Sequence, residues 1–441
     1  MANAKLLGAV ALTGVLLILA LPLGERAYLA WIALVPLLRA THGRGFLVGF
    51  ASALVAIFLG AWLASTGVFY AHKELEGEVG WIYSGMGLFG IPVAFTAGVW
   101  ADKGSDGKPL WWFASLAVLL EACLLLELPA HLALTQYRQP VPLMLASAGG
   151  IWLVSFALWI ANLWLARMPW SRLMWAVPLA AGLSLALRGA WLPDHGVRRT
   201  FAALQTEAVD LEALAKMHLQ ASGRRAEVVV WPEFSALAIA ARGTAPLQEL
   251  AQAEGSAPFV TTFRDDHRPL PHNAAALFSA EGESERYFKR KPFGAENKMH
   301  AAGTEAVTAD LAHGRVGLNI CFDSCYPFVM RDTARLGADV LALPTIDPPS
   351  THHFMAAMHN AFSPFRAAEL GTPVVRADGY AYSSIVDSRG RFVAEAPPGE
   401  QVLIGTVHGS RHTLYKLCGD WVLYASGLAF LFGLSRKKPR T

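Results

Sequence analysis

Charge is what this chain has least of. Only 16% of its 441 residues are Asp, Glu, Lys or Arg, against about 25% in an average soluble protein. The shortage is uneven. Residues 1–195 hold 20 of the charged side chains, and the remaining 246 residues hold 51. With 54% hydrophobic residues and a mean hydropathy of +0.35, this excludes a disordered scaffold and argues against an ordinary cytosolic enzyme. A net charge of +3, with no basic stripe interleaved with aromatics, implies no nucleic-acid partner. Cysteine is scarce too. Cys123, Cys321, Cys325 and Cys418 do not make a disulfide framework in a chain this long. No paired CxxC or comparable spacing is present, so no metal is expected. Internal repeats and low-complexity linkers are also absent.

What is abundant is long apolar runs. A helix needs about 20 apolar residues to cross the hydrocarbon core. Residues 6–23, 46–68, 80–100, 109–127, 147–166 and 173–192 fit, and 420–434 follows as a last run. Residues 27–38 (AYLAWIALVPLL) are shorter and hold Pro36; a tilted span, a re-entrant helix and a partner of the first helix all remain open. The pattern predicts a polytopic α-helical membrane domain of about eight segments. About seven fall in residues 1–195, and residues 411–441 supply a C-terminal helix and a basic cytoplasmic tail. Lys5 before the first run gives it a signal-peptide flavour, but its length and the spans that follow favour an uncleaved helix.

Lys and Arg in the loops set orientation. With the N-terminus in the cytoplasm, the cytoplasmic segments hold Lys5, Arg39, Arg44, Lys103, Lys108, Arg167, Arg172, Arg436, Lys437, Lys438 and Arg440. The short outer loops hold only Arg26, Lys73 and Arg138, and the loop 72–78 (HKELEGE) is net acidic. Residues 196–410 then lie outside the cytoplasm. The parity depends on 27–38 crossing, and Arg188 on the outer side runs against the bias. Glu121 lies inside an apolar run, either as a functional group or as a helix-pairing contact.

The better-charged half alternates strand-like and helix-like stretches, which predicts an α/β layered domain. Strands are expected at 199–204, 226–231, 257–262, 273–279, 315–320, 338–343, 373–377 and 383–387, and helices at 207–221, 244–254, 326–336 and 352–370. Three places carry possible chemistry. Glu233, in Trp231-Pro232-Glu233, follows an apolar strand and lies either at a sheet rim, where α/β sites collect, or in an exposed turn. Lys289, in Tyr287-Phe288-Lys289, is either a fixed, desolvated cation suited to an oxyanion or part of a basic surface turn. Cys321 ends the strand-like Gly317-Leu318-Asn319-Ile320 run just before a helix. It is either a nucleophile whose pKa the helix start lowers or a buried structural cysteine. Cys325 is its neighbour on the following helix.

Taken in the order Glu, Lys, Cys, these motifs resemble the carbon–nitrogen hydrolase (nitrilase) superfamily. With the apolar half, nearly the whole chain resembles its membrane branch, the bacterial apolipoprotein N-acyltransferases. The likeness runs through Trp31–Leu38, residues 136–166, Gln205, Trp231-Pro232-Glu233, Asn273, Tyr287-Phe288-Lys289 and Pro292-Phe293-Gly294. It continues through Cys321, Arg366–Glu369, Pro373–Ala377 and Asp387–Gly390. It implies an α-β-β-α sandwich at 196–410, on the periplasmic face of the bacterial inner membrane. Glu233 would be the general base, Lys289 the oxyanion stabiliser and Cys321 the nucleophile. Glu296 matches the glutamate that supports the lysine, and Asp323 the acidic residue two after the nucleophile. Tyr287 and Trp231 are supporting members of the same motifs.

The chain also departs from that pattern. Lys289 and Pro292 are three apart where the family usually has five, which makes Lys291 a rival for the lysine role. Ala295 is inserted before Glu296, and Phe322-Asp323 stands for Tyr-Glu. Ile346-Asp347-Pro348-Pro349-Ser350 replaces an Asn-Asp-x-Trp-Phe loop, and Leu124 and Leu125 stand where an arginine commonly follows the membrane glutamate. His352, His353 and His359 read as surface or packing residues.

The implied chemistry is ping-pong acyl transfer. A membrane phospholipid acylates Cys321, and the α-amine of a diacylglyceryl-cysteine lipoprotein takes the chain. Water must be kept from the thioester, a task for the apolar stretch Phe354–Phe365. No cofactor is needed, and a monomer is the default. The alternatives are a membrane-tethered amidase with water as acceptor, and an inactive membrane scaffold.

Overall fold

The computed structural model describes residues 2–21, 26–64, 90–123, 131–169, 197–241, 243–266, 270–294, 296–347 and 354–435, with isolated positions 171, 178, 182, 186 and 187. The expected loop 72–78, nearly all of the expected span 173–192, Ala295, residues 348–353 and the basic tail lie outside them. The chain divides into two compact units: residues 1–191 with 420–441, and residues 192–419.

The first unit is helical. Two described helices are long and apolar enough to cross a membrane, Asn3–Ala20 and Pro140–Arg167, where about eight segments were expected. The runs 46–68, 80–100 and 109–127 each extend past the described residues. Their described parts are the helices Phe46–Ala64, Gly90–Ala101 and Leu110–Cys123. The last run forms the helix Trp421–Ser435. Pro140–Arg167 is interrupted at Gly149 and Gly150. Gly150 has φ +70°, a conformation that glycine adopts freely.

Residues 27–38 do not form one helix. They make a 3-10 turn at Ala27–Trp31 and enter a short α-helix at Val35–Thr41. A broken helix leaves backbone groups to be satisfied by neighbours. Asn162 does this on both sides, accepting from Leu34 N at 2.9 Å and donating to Ala30 O at 2.9 Å. Gln136 donates to Ala27 O at 2.8 Å. Glu121 is a helix-pairing contact: its Oε1 accepts from Trp159 Nε1 at 3.1 Å. Polar Thr13, Ser115, Glu121, Ser155 and Asn162 are buried, while Leu7, Leu47, Tyr424 and Leu428 are more than two-thirds exposed.

The second unit holds thirteen described strands in two sheets. The strands are β1 (Arg198–Gln205), β2 (Val228–Val230), β3 (Phe259–Asp265), β4 (His272–Ser279), β5 (Gly282–Glu283), β6 (Tyr287–Phe288) and β7 (Val307–Leu311). There follow β8 (Gly314–Leu318), β9 (Val340–Thr345), β10 (Val374–Asp378), β11 (Ser383–Val386), β12 (Phe392–Ala396) and β13 (Gln401–His408). One sheet runs β13-β1-β2-β3-β4-β5 with β6 on β4, and the other β12-β11-β10-β9-β8-β7. The central strands are parallel, β1 with β2 with β3 and β8 with β9 with β10. β2, β9 and β10 are buried along their whole length, as parallel strands covered on both faces must be.

The two sheets face one another through β1, β2, β3, β9, β10 and β11. Helices Leu211–Gly223 and Ala245–Gln252 cover the outside of the first sheet, and Pro327–Arg335 and Phe362–Leu370 cover the second. This is the expected α-β-β-α sandwich. All eight expected strands are present with end shifts of a few residues, but β5, β6, β7, β12 and β13 were not anticipated. They are two-residue strands or strands near the sheet edges, and they lack a continuous apolar signature. The expected helix 352–370 is broken into Phe354–Asn360 and Phe362–Leu370.

Candidate active site

Each of the three candidate residues stands just beyond a strand. Glu233 follows β2, and its backbone N–H donates to Thr345 O at the end of β9, at 3.1 Å; this bond joins the two sheets at the site. Phe234, next in the chain, has φ +59°. Cys321 follows β8, opens a 3-10 turn at Cys321–Cys325 and has φ +49°. Two of the three non-glycine residues with positive φ among the described residues therefore flank or form this site. Such a conformation costs about 1–3 kcal/mol and persists where surrounding structure enforces it. Lys289 follows β6, its N–H donating to Asn273 O on β4 at 2.9 Å.

These elements bring the side chains together. Lys289 Nζ donates to Glu233 Oε1 at 2.9 Å and to Glu296 Oε2 at 2.6 Å. Asn273 Nδ2 donates to the same pair, to Glu233 Oε1 at 2.7 Å and Glu296 Oε1 at 2.8 Å. Phe293 N donates to Glu296 Oε2 at 2.9 Å, so the Pro292-Phe293-Gly294 turn aims Glu296 at the lysine. The free oxygen of Glu233, Oε2, accepts from Ile346 N at 3.1 Å. The Cys321 thiol and the Glu233 carboxylate act on each other electrostatically, and Sγ lies 4.0 Å from Ile346 O.

Burial shapes the titration of all of these groups. It pushes the Glu233 carboxyl above its usual range, with Lys289 opposing and Glu296 reinforcing the shift. Burial alone would lower Lys289, but Glu233, Cys321 and Glu296 outweigh it and hold the ammonium charged. Burial likewise acts to raise Glu296, and Lys289 with its other donors holds it below the ordinary value. Burial, reinforced by the Glu233 charge, pushes the Cys321 thiol well up. This corrects the expected lowering by a helix start: the turn after Cys321 is only five residues of 3-10 helix. Burial thus favours the neutral thiol at Cys321.

Asp323 ties the cysteine turn to the lysine strand. Its Oδ2 accepts from Tyr287 OH at 2.7 Å and Ile320 N at 2.9 Å, and its Oδ1 from Lys291 N at 2.9 Å. The two lysines stand in different surroundings. Lys289 is buried, whereas Lys291 Nζ lies over the Tyr326 and Phe328 rings, 4.8 and 5.2 Å from their centroids. Trp231 does not join the cluster. Its indole stacks on Phe259, centroids 4.5 Å apart, inside the core of the first sheet. Cys325 is buried in the same turn, its thiol also pushed up by burial.

His359 does not lie at the surface; His352 and His353 lie outside the described residues. His359 is buried, with Nδ1 2.8 Å from Asp347 Oδ1 and Nε2 3.1 Å from Ser324 Oγ and 3.3 Å from Cys321 O. Arg376 Nη2 donates to Asp347 Oδ2 and to Asp378 Oδ2, the latter at 2.9 Å. Asn273 lay within the family likeness, but no role was assigned to it or to Ser324, Asp347, His359 and Arg376. Their one local signal is polarity inside otherwise apolar stretches.

A buried carboxylate–lysine–carboxylate array beside a thiol, at the end of a two-sheet sandwich, defines a carbon–nitrogen hydrolase class of protein. Residues 202–416 match the carbon-nitrogen hydrolase family, and residues 13–164 match the apolipoprotein N-acyltransferase N-terminal domain. The chain is 27% identical to an apolipoprotein N-acyltransferase of Geobacter metallireducens, over 97% of this chain and 94% of that one. A Bdellovibrio bacteriovorus protein of the same name is 24% identical over 90% and 87%. The structure of an amidase from Nesterenkonia sp. AN1 aligns with 18% identity and a TM-score of 0.45, covering 54% of this chain and 99% of that one. The chain belongs to the apolipoprotein N-acyltransferase family.

Proposed function

We propose that this protein takes an acyl chain from a membrane phospholipid onto Cys321 and passes it to the N-terminal amine of a diacylglyceryl-cysteine lipoprotein. It is an acyltransferase. One observation carries the lipid reading. The likeness to N-acyltransferases extends through residues 13–164 and to 94% of a relative's length; a carbon–nitrogen hydrolase domain alone would serve water equally well.

Glu233 takes the Cys321 proton as sulfur attacks the ester carbonyl. The tetrahedral oxyanion forms against the Lys289 ammonium, whose charge Glu296 sustains. Collapse breaks the ester C–O bond, Glu233 returns its proton to the leaving glycerol oxygen, and lysophospholipid departs from the thioester. The amine then attacks the thioester carbonyl. Glu233 takes an amine proton and delivers it to sulfur, leaving the amide and a free thiol.

Purified protein given labelled phospholipid is expected to release lysophospholipid once and hold the label. Adding a lipopeptide is expected to start turnover and move the label to it. Free fatty acid released at the same rate with and without lipopeptide would make water the acceptor and sink the transferase reading.

The Lys and Arg bias of the loops supports a site on the outer face of the bacterial inner membrane, a reading that counts Ala27–Thr41 as a short crossing. The outward apolar side chains and inward polar ones of the first unit support a lipid surround. A cysteine introduced at exposed Glu281, in a chain with Cys123 and Cys418 replaced, is expected to react with a membrane-impermeant maleimide in intact spheroplasts. Labelling only after lysis would place the site inside.

A further inference from the structure

We infer that Asp347, His359 and Ser324 form a positioning relay that holds the Cys321 turn and the Glu233 carboxylate in register, an assignment that rests on the acyl-transfer reading above. Two observations meet here. Cys321 has φ +49°, so its peptide needs outside restraint to stay there. Two groups stand beside its turn: Ser324 Oγ lies 2.9 Å and His359 Nε2 3.3 Å from the Cys321 carbonyl oxygen. The His359 ring is itself fixed. Nδ1 faces the Asp347 carboxylate at 2.8 Å, which assigns the proton to Nδ1 and makes Nε2 an acceptor. The Ser324 hydroxyl then gives its one proton to Nε2, 3.1 Å away, and so ties the Cys321–Cys325 turn to the fixed ring.

The other end of the relay reaches the base. Asp347 follows Ile346, whose N–H donates to Glu233 Oε2 at 3.1 Å and whose carbonyl is 4.0 Å from Cys321 Sγ. One two-residue segment thus touches the base, the thiol and the histidine that steadies the thiol's own backbone. Arg376 anchors the segment from behind, binding Asp347, Asp378 and Tyr382 O. Neither Asp347 nor His359 contacts a reacting atom; together they set the separation of thiol and carboxylate. Misplacement by about 1 Å at such a site costs about 100-fold in rate.

The test uses full-length protein carrying His359→Ala, His359→Gln or Ser324→Ala. It reads alkylation of Cys321 by iodoacetamide, located by peptide mass spectrometry, and the steady-state kinetics of lipopeptide acylation. His359→Ala is expected to slow both alkylation and kcat by about 100-fold, with KM for phospholipid within about twofold. Gln can donate toward Asp347 and accept from Ser324, so His359→Gln is expected to recover at least about tenfold of that loss. Ser324→Ala removes only that tie and is expected to slow alkylation by about tenfold. Wild-type or faster alkylation in His359→Ala, or in Ser324→Ala should the former fail to fold, overturns the inference. So does His359→Gln no better than His359→Ala. If the wild-type thiol alkylates but takes no acyl group from phospholipid, the proposed donor fails while the alkylation comparison still decides the relay.

Discussion

Cys321→Ala is expected to transfer no acyl chain to a lipopeptide, a loss of at least about 10⁴-fold. It is also expected to show no mass increase after exposure to phospholipid. The expected loss is this large because nothing nearby can substitute. Cys325 is the one other buried cysteine. Burial pushes its thiol up, and it has none of the Glu233–Lys289 contacts that Cys321 shares. An alanine keeps the apolar burial, so folding is expected to persist and the melting temperature to stay within about 4 °C. Normal N-acylation of lipoproteins by Cys321→Ala protein would refute both the nucleophile and the thioester.

Lys289→Ala is expected to act twice, on catalysis and on stability. Removing one preorganised oxyanion donor costs about 10²–10³ in kcat. Losing the cation also leaves Glu233 and Glu296 facing each other across Asn273. Two buried carboxylates in one site do not both stay ionised. Lys289 at present holds Glu233 down against burial, so its loss raises that carboxyl further. The acid limb of the pH–rate profile is therefore expected to move to higher pH, adding to the loss at neutral pH. Breaking a buried ion pair by removing one partner costs about 3–5 kcal/mol, or roughly 10 °C in melting temperature for a unit of this size. Glu233→Gln separates the two effects. It is expected to lose about 10²–10⁴ in rate as the base disappears, but to keep more of the stability, because the amide oxygen still accepts from Lys289. A Lys289→Ala protein with an unmoved acid limb and wild-type melting would show that the ammonium does not neutralise this pair.

Much of the site was legible along the chain because its parts are local. Glu233, Lys289 and Cys321 each sit in a short motif next to a strand, and those strands have the apolar composition that burial on both faces demands. Of the two lysines, Lys289 in Tyr287-Phe288-Lys289 is buried, and Lys291, two residues on, turns to aromatic rings. The missed partners have no such local mark. His359 lies 38 residues from Cys321 and Asp347 lies 26, on separate elements, and each is one polar residue in an apolar stretch. The thiol's titration was misread for the same reason. A strand followed by a helix suggested a favourable helix start, whereas the actual turn is five residues of 3-10 helix and is buried.

The division of charge, the apolar runs and the order Glu, Lys, Cys belong to the sequence by itself, because composition and short-range periodicity need no partner to be read. They determined a two-part chain, a membrane-type half and a layered α/β half, and the chemistry its motifs allow. Only the tertiary structure decided that Asn273 bridges Glu233 and Glu296 beside the lysine, that Trp231 belongs to the core, and that Asp347 and His359 stand behind Cys321. Those facts depend on contacts between segments far apart in the chain. Hydrogen bonds of about 3 Å between residues tens of positions apart exist only after the backbone has closed that distance.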